Sequence, residues 1–167
     1  MGSHYAKINP CDLANGIGIR VSIFFSGCNF HCKNCFNKEL WDFNYGIPYI
    51  PVSVELEIVR LLEPDYIKGL SILGGEPFHN LDSLYTLVWT VLEYTEGKDI
   101  WIWTGYEMDE LQKMTDNWKV KSILDKTDYL VTGRYEDDKR DLTLRFRGSS
   151  NQKIWHRNDG KWEIYEE

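Results

Sequence analysis

Cys28, Cys32 and Cys35 fall within the eight-residue run Cys28-Asn29-Phe30-His31-Cys32-Lys33-Asn34-Cys35, spaced C-x3-C-x2-C. Thiolates are soft ligands, and three on one short loop suit zinc or an iron–sulfur cluster. Structural zinc normally takes four protein ligands, and a [4Fe–4S] cluster normally takes four Cys. The loop offers three. A zinc-stabilised interaction module needs a fourth ligand such as His31, which sits awkwardly beside Cys32 for one compact site. An electron-transfer protein of the ferredoxin kind needs a fourth thiol, for which Cys11 is the remaining cysteine. The third possibility leaves one iron open to bind another molecule. Cys11 stands alone in Pro10-Cys11-Asp12, far upstream, and reads as a buried, inert packing residue.

Two further stretches carry groups able to do chemistry. Gly74-Gly75-Glu76-Pro77 joins two glycines that permit close backbone approach to a proline that limits the loop. Glu76 can accept from an ammonium group. Thr104-Gly105-Tyr106 offers two hydroxyls after Trp101-Ile102-Trp103, whose indoles read as core or lining. Asn15-Gly16 is either a plain turn or part of a site. Arg20 is either a partner for acidic groups or a solvated strand residue.

The elements that must position these motifs follow from periodicity. Val21, Ile23 and Phe25 alternate along residues 19–25, which predicts a strand, and Gly27 breaks it ahead of the cysteines. Residues 53–62 read as a helix with Ser53 as N-cap and early glutamates suited to its dipole, stopped by Pro64. Residues 69–73 read as a second strand. Leu81–Tyr94 has helical spacing, with Leu81, Leu84, Tyr85, Val88 and Leu92 on one face and Asn80 or Asp82 as cap. Residues 99–103 and 127–132 read as further strands, with short helices over 108–114 and 118–124 between them. Residues 5–18 read as a lead-in lying over the first strand, 41–51 as a covering loop, 136–141 as a solvated loop and 142–146 as an added strand.

Alternating strands and helices predict parallel β/α units with right-handed connections. The chain is too short for a closed eight-unit barrel. The expected fold class is therefore α/β, an open partial (β/α) barrel of about four to six mainly parallel strands. The cysteine loop, Gly-Gly-Glu-Pro and Thr-Gly-Tyr all fall at C-terminal strand ends, where such folds bind their ligands.

Around this framework lie Asp12-Leu13-Ala14-Asn15-Gly16-Ile17-Gly18-Ile19-Arg20 and Phe36-Asn37-Lys38-Glu39-Leu40-Trp41. Trp101-Ile102-Trp103-Thr104-Gly105-Tyr106 and Arg145-Phe146-Arg147-Gly148-Ser149-Ser150-Asn151-Gln152 follow. Taken together, these stretches resemble the anaerobic (class III) ribonucleotide reductase activating enzymes of the radical S-adenosylmethionine (SAM) superfamily, from about Tyr5 to His156. The cysteine spacing points to the superfamily, and its combination with the tryptophan and Arg-Gly-Ser-Ser-Asn-Gln motifs points to the family. The resemblance implies a radical SAM oxidoreductase. Cys28, Cys32 and Cys35 would hold a [4Fe–4S] cluster whose fourth iron is chelated by the methionine amino and carboxylate groups of SAM. Reductive cleavage of SAM would give methionine and a 5′-deoxyadenosyl radical, which abstracts hydrogen from a glycine of the partner reductase.

The resemblance also places the cofactor against Asn34, Cys35, Phe36, Gly74, Gly75, Glu76, Pro77 and Thr104, with no catalytic side chain beyond the cluster and SAM. Gly-Gly-Glu-Pro would meet the methionine amino group, and the Asn34 backbone the adenine. The implied partners are the large subunit of the anaerobic ribonucleotide reductase and an electron donor such as flavodoxin. Lys33 and Lys38 flank the cluster loop and suit docking of an acidic donor. The pyruvate formate-lyase activating enzyme is the alternative within the superfamily; its family is longer and lacks Arg-Gly-Ser-Ser-Asn-Gln. One departure stands out: Thr132-Gly133 occupies the place where the family often has Asp-Gly.

Composition excludes several other classes. A net charge of −7 over 167 residues argues against a sequence-independent nucleic-acid binder. With 43% hydrophobic residues and no long apolar run, a membrane span is not expected. Four cysteines without a secretory pattern point to a reducing, cytoplasmic setting. Met1-Gly2-Ser3-His4 reads as a cloning remnant, leaving 5–167 as a single radical SAM domain. Residues 133–157 hold seven Lys/Arg against four Asp/Glu, a basic stretch suited to a protein partner or a cofactor carboxylate.

Overall fold

The computed structural model describes residues 2–166. Its strands are β1 (His4–Asp12), β2 (Ile19–Phe25), β3 (Ile47–Pro48), β4 (Ile67–Gly74), β5 (Asp99–Thr104), β6 (Tyr129–Thr132), β7 (Lys153–Asn158) and β8 (Lys161–Ile164). They form one eight-stranded sheet in the order β3-β1-β2-β4-β5-β6-β7-β8. The run β2-β4-β5-β6 is parallel throughout. Antiparallel strands extend it at both edges. The fold is thus mixed α/β, and the expected count of four to six mainly parallel strands is corrected to eight, of which four are parallel.

The discrepancy has local causes. The lead-in over 5–18 contains β1, hidden by Pro10. That residue falls where the β1–β2 register shifts between Asn9 and Asp12, so its missing N–H disrupts no regular ladder. Residues 142–146 are turn and bend rather than strand. Phe146 stands at φ +63°, outside the β region. The covering loop over 41–51 contains β3. The fold also takes in Ser3 and His4, ahead of the expected domain start at Tyr5. His4 pairs with Pro48, and Ser3 O accepts from Tyr49 N at 2.8 Å.

Four helices accompany the sheet: α1 (Pro51–Leu62), α2 (Leu81–Tyr94), α3 (Met108–Lys113) and α4 (Trp118–Lys126). The first begins at Pro51 with Ile50 as N-cap, earlier than Ser53 predicts, because proline's fixed φ suits the first helical position. Glu55, far from serving the dipole, is buried and accepts from Tyr49 Oη (3.0 Å), Thr86 Oγ1 (2.5 Å) and Thr90 Oγ1 (3.1 Å). Asn80 precedes α2 as predicted but turns its amide to Ser26 O at 2.9 Å instead of capping. Among the described residues no helix is long and apolar enough to cross a membrane.

Strand alternation gives the sheet two unlike faces. Val21, Ile23, Phe25, Leu70, Ile72, Ile100, Ile102 and Leu130 form one core with the helices. The alternate residues carry Arg20, Ser71, Trp101, Trp103, Tyr129 and Val131 on the opposite face. Trp101 and Tyr129 stack with ring centroids 4.2 Å apart.

Arg20 is the key to that second face. It is fully buried. Its guanidinium donates to Ser71 Oγ (2.7 Å), Ile17 O (3.1 Å) and Leu70 O (2.9 Å), and pairs with Asp99 Oδ1 at 2.6 Å. Ser71 Oγ in turn donates to Asn15 O (2.6 Å). Asp12 accepts from the Asn15 amide (2.7 Å) and Ser22 Oγ (2.6 Å). Segment 12–17 is therefore bonded directly to β2 and β4 and, through Arg20, to Asp99 at the start of β5. Arg20→Met should cost about 3–5 kcal/mol by leaving Asp99 without its buried partner. Adding Asp99→Asn should recover part of that loss, as measured by urea unfolding of all three proteins.

Candidate iron–sulfur and cofactor site

The site begins where β2 ends. Gly27 turns the chain at φ +100°, and a Cβ there would strike the Phe43 ring. The end of β4 is laced to this turn: Gly75 N donates to Phe25 O (2.8 Å) and Glu76 N to Gly27 O (2.9 Å). A Cβ on Gly75 would lie 2.7 Å from both Gly27 O and Leu40 O, and one on Gly74 would meet the Phe25 backbone. The close approach that these glycines permit is thus first an approach of the cysteine loop's own backbone.

Glu76 is buried without exposure. Its carboxylate accepts from Phe78 N (2.9 Å), Thr104 Oγ1 (2.9 Å) and Gly105 N (2.7 Å). Thr104 thereby joins Gly-Gly-Glu-Pro to the end of β5. Burial pushes the Glu76 carboxyl up to about 7, against the pull of those three donors.

Beside it, Phe30 covers Gly105, where a Cβ would come within 2.6 Å of the ring. His79 Nδ1 accepts from Asn29 N (3.2 Å), which leaves Nε2 to face Tyr106 Oη at 3.1 Å. Burial keeps this imidazole's pKa below its usual value.

A cavity of about 400 Å³ opens at these strand ends, lined by Cys28, Cys32 and Cys35 together with Phe36, Gly74, Gly75, Glu76 and Thr104. Asn15, Trp41, Trp103, Arg134 and Arg147 complete much of the wall. Cys28 is buried, Cys32 and Cys35 half-buried, and burial pushes the Cys28 and Cys32 thiols up. Asn34 and Pro77 are not in the lining. Asn34 takes φ +55° and turns its amide outward to Asp137 Oδ2 (2.7 Å). Pro77 starts the turn 77–80 behind the wall.

Cys11 is exposed, not buried as expected. It sits beside Asp12, which pairs with Arg20 at the start of β2. The cysteine loop follows the other end of that strand, roughly 17 Å away at about 3.3 Å per residue. His31 stacks on Trp41 with centroids 4.4 Å apart and is absent from the cavity lining. Neither residue is placed to complete a four-ligand set. Three thiols without a fourth protein ligand suit a cluster with one open iron better than structural zinc, which takes four.

The donor set fits a cluster with a ligand beside it. Trp41 Nε1 and Arg147 Nε are buried donors without a partner in the chain, and both residues line the cavity. Phe36 and Trp103 add aromatic surface to the same cavity. The Thr132 hydroxyl accepts from Trp155 Nε1 at 3.0 Å and is fully buried.

A family model described as a 4Fe-4S single cluster domain matches residues 14–155. The anaerobic ribonucleoside-triphosphate reductase-activating protein of Escherichia coli K12 is 38% identical over 157 residues, covering 92% of this chain and 98% of its own. The Pasteurella multocida protein of the same name is 39% identical over 156 residues, 91% of this chain and 96% of its own. The Enterobacteria phage T4 protein is 34% identical over 163 residues, 96% and 98% respectively. The chain belongs to this activating-protein family. The family's radical SAM character accords with the expected cluster motif, and its C-x3-C-x2-C thiols face one cavity. Trp41 and Arg134, marked in the sequence only as parts of a motif and of a basic stretch, are cavity walls. Their individual places depend on tertiary structure.

Two expectations follow. After anaerobic reconstitution, Cys11→Ser should retain iron, whereas Ser at position 28, 32 or 35 should lose most of it, since a hydroxyl replaces thiolate poorly; iron content and visible absorbance decide. The second concerns Glu76, whose folded-state pKa lies above its unfolded value. Its proton-linked stabilisation is fully present below about pH 4.5 and is lost as pH rises through about 7. Iron-free protein should lose on the order of 3 kcal/mol across that window. Glu76→Gln should flatten this slope in urea unfolding.

Proposed function

We propose that this chain is a radical SAM activase of the cytoplasm. It reductively cleaves S-adenosylmethionine to a 5′-deoxyadenosyl radical and generates a glycyl radical on an anaerobic ribonucleoside-triphosphate reductase. The observation that carries the reading is the convergence of the three thiols, the Gly74–Gly75 turn and Thr104 on one cavity at the ends of parallel strands. A single open partial (β/α) barrel is the corresponding fold reading.

When bound, a [4Fe–4S] cluster supplies the electron and SAM the adenosyl group. Cys28, Cys32 and Cys35 would hold the cluster. Trp41 Nε1 and Arg147 Nε are free to donate to the carboxylate of the methionine moiety. The Asn34 side chain is committed to Asp137 and the residue lies outside the cavity lining, which weighs against the adenine contact expected of its backbone; the Phe36 ring is the aromatic surface the cavity offers there. Glu76 serves mainly by fixing the ends of β4 and β5. Its carboxylate already accepts three hydrogen bonds, which weighs against the ammonium contact expected of it. The apolar walls of Phe30, Trp103 and Phe146 limit water near a reactive radical.

Phe36 and Leu142 line the cavity yet are 54% and 70% exposed, so the site has an apolar rim on which a larger glycyl-radical protein can close. The names of the relatives favour the reductase over pyruvate formate-lyase as that partner. Lys33 and Lys38 beside the loop suit an acidic electron donor such as flavodoxin. Reduced, iron-loaded protein mixed with SAM and the reductase should give a glycyl-radical doublet by electron paramagnetic resonance. SAM cleavage without a radical on that reductase would count against it as the target.

A further inference from the structure

The motif Arg147-Gly148-Ser149-Ser150-Asn151-Gln152 lies more than a hundred residues beyond the cysteine loop, and much of its bonding is to the chain itself. Gln152 Oε1 accepts from Gly148 N (2.9 Å) and Ser149 N (3.2 Å), while its Nε2 donates to Gly133 O (3.0 Å). Asn151 Nδ2 donates to Arg134 O at 2.8 Å. Ser149 Oγ accepts from Glu136 N at 3.2 Å. The motif therefore grips residues 133–136 as they leave β6.

That segment faces the cysteine loop. The Arg134 guanidinium lies 4.3 Å from the centroid of Phe30, between Cys28 and Cys32. Glu110 holds it from behind with two bonds of 3.1 and 3.2 Å. Arg134 and Tyr135 line the same cavity as Cys28, Cys32 and Cys35. The Tyr135 ring meets Phe36, one residue past Cys35, at 5.0 Å.

We propose that Asn151 and Gln152 are positioning residues that clamp 133–136 against the cysteine loop. The clamped Arg134 cation, on the wall of the same cavity, then raises the reduction potential of the cluster held by the three thiols. Nearby positive charge favours the form that carries one more electron. That electron comes from an external low-potential donor. The inference rests on the cluster reading above.

Asn151→Leu and Gln152→Met test the clamp with little change in size and none in charge. Each removes the donor to 133–136 without adding a charge that would itself move the cluster midpoint. In iron-free protein, amide hydrogen exchange across 133–136 should speed up in both variants. In reconstituted protein, redox titration followed by electron paramagnetic resonance should show the cluster midpoint shifted to lower potential. Arg134→Gln should shift it the same way and decides the electrostatic part should the motif variants fail to fold. Lower thermal stability with full iron and an unmoved midpoint would reduce the motif to a structural role and overturn the proposal. Failure of wild-type protein to take up iron would instead reject the cluster reading, so the two failures are distinct.

Discussion

The backbone at the ends of β2 and β4 comes closer than side chains allow. Everything at the site depends on that approach. Gly27, Gly74 and Gly75 each lack a Cβ where one would strike a ring or a carbonyl. The contact ties the cysteine loop to Gly-Gly-Glu-Pro as one unit, through Gly75 N to Phe25 O and Glu76 N to Gly27 O. Thiols and the opposing cavity wall are therefore set by the same few peptide bonds. Displacing either strand end moves both.

Two buried charged side chains extend this order across the sheet. Glu76 collects donors from its own turn and from the end of β5, while Arg20 collects acceptors from the starts of the strands and from segment 12–17. One ties the strand ends that form the site, the other ties the opposite ends. Between them lies the aromatic layer of Trp101, Trp103 and Tyr129. Helices cover the aliphatic face, so the second face is where ligands and the chain's own loops can meet the sheet.

The parallel half of the fold was legible in the sequence because each of its strands is an apolar run ending at a glycine motif. The cysteine site was legible because local spacing alone specifies it. The antiparallel half was not. β1 carries Pro10 and a broken register, and β7 and β8 are only partly buried, so none shows clean alternation. Residues 142–146 did alternate, but Trp103 Nε1 donating to Phe146 O at 2.7 Å holds that stretch as a wall rather than a strand. Arg20 could be read only as ambiguous, since the partner that settles its role lies 79 positions away. The bonds of Glu76 to Thr104 and Gly105 were not legible, because they depend on tertiary structure.

The cavity walls come from distant parts of the chain, Asn15 near one end and Gln152 near the other. Parts of one sheet fold together as a unit. The cysteine loop, the Gly-Gly-Glu-Pro turn and Thr104 supply one side of the cavity, and residues 133–152 supply the other. Losing that late segment would leave the thiols open to solvent from that side.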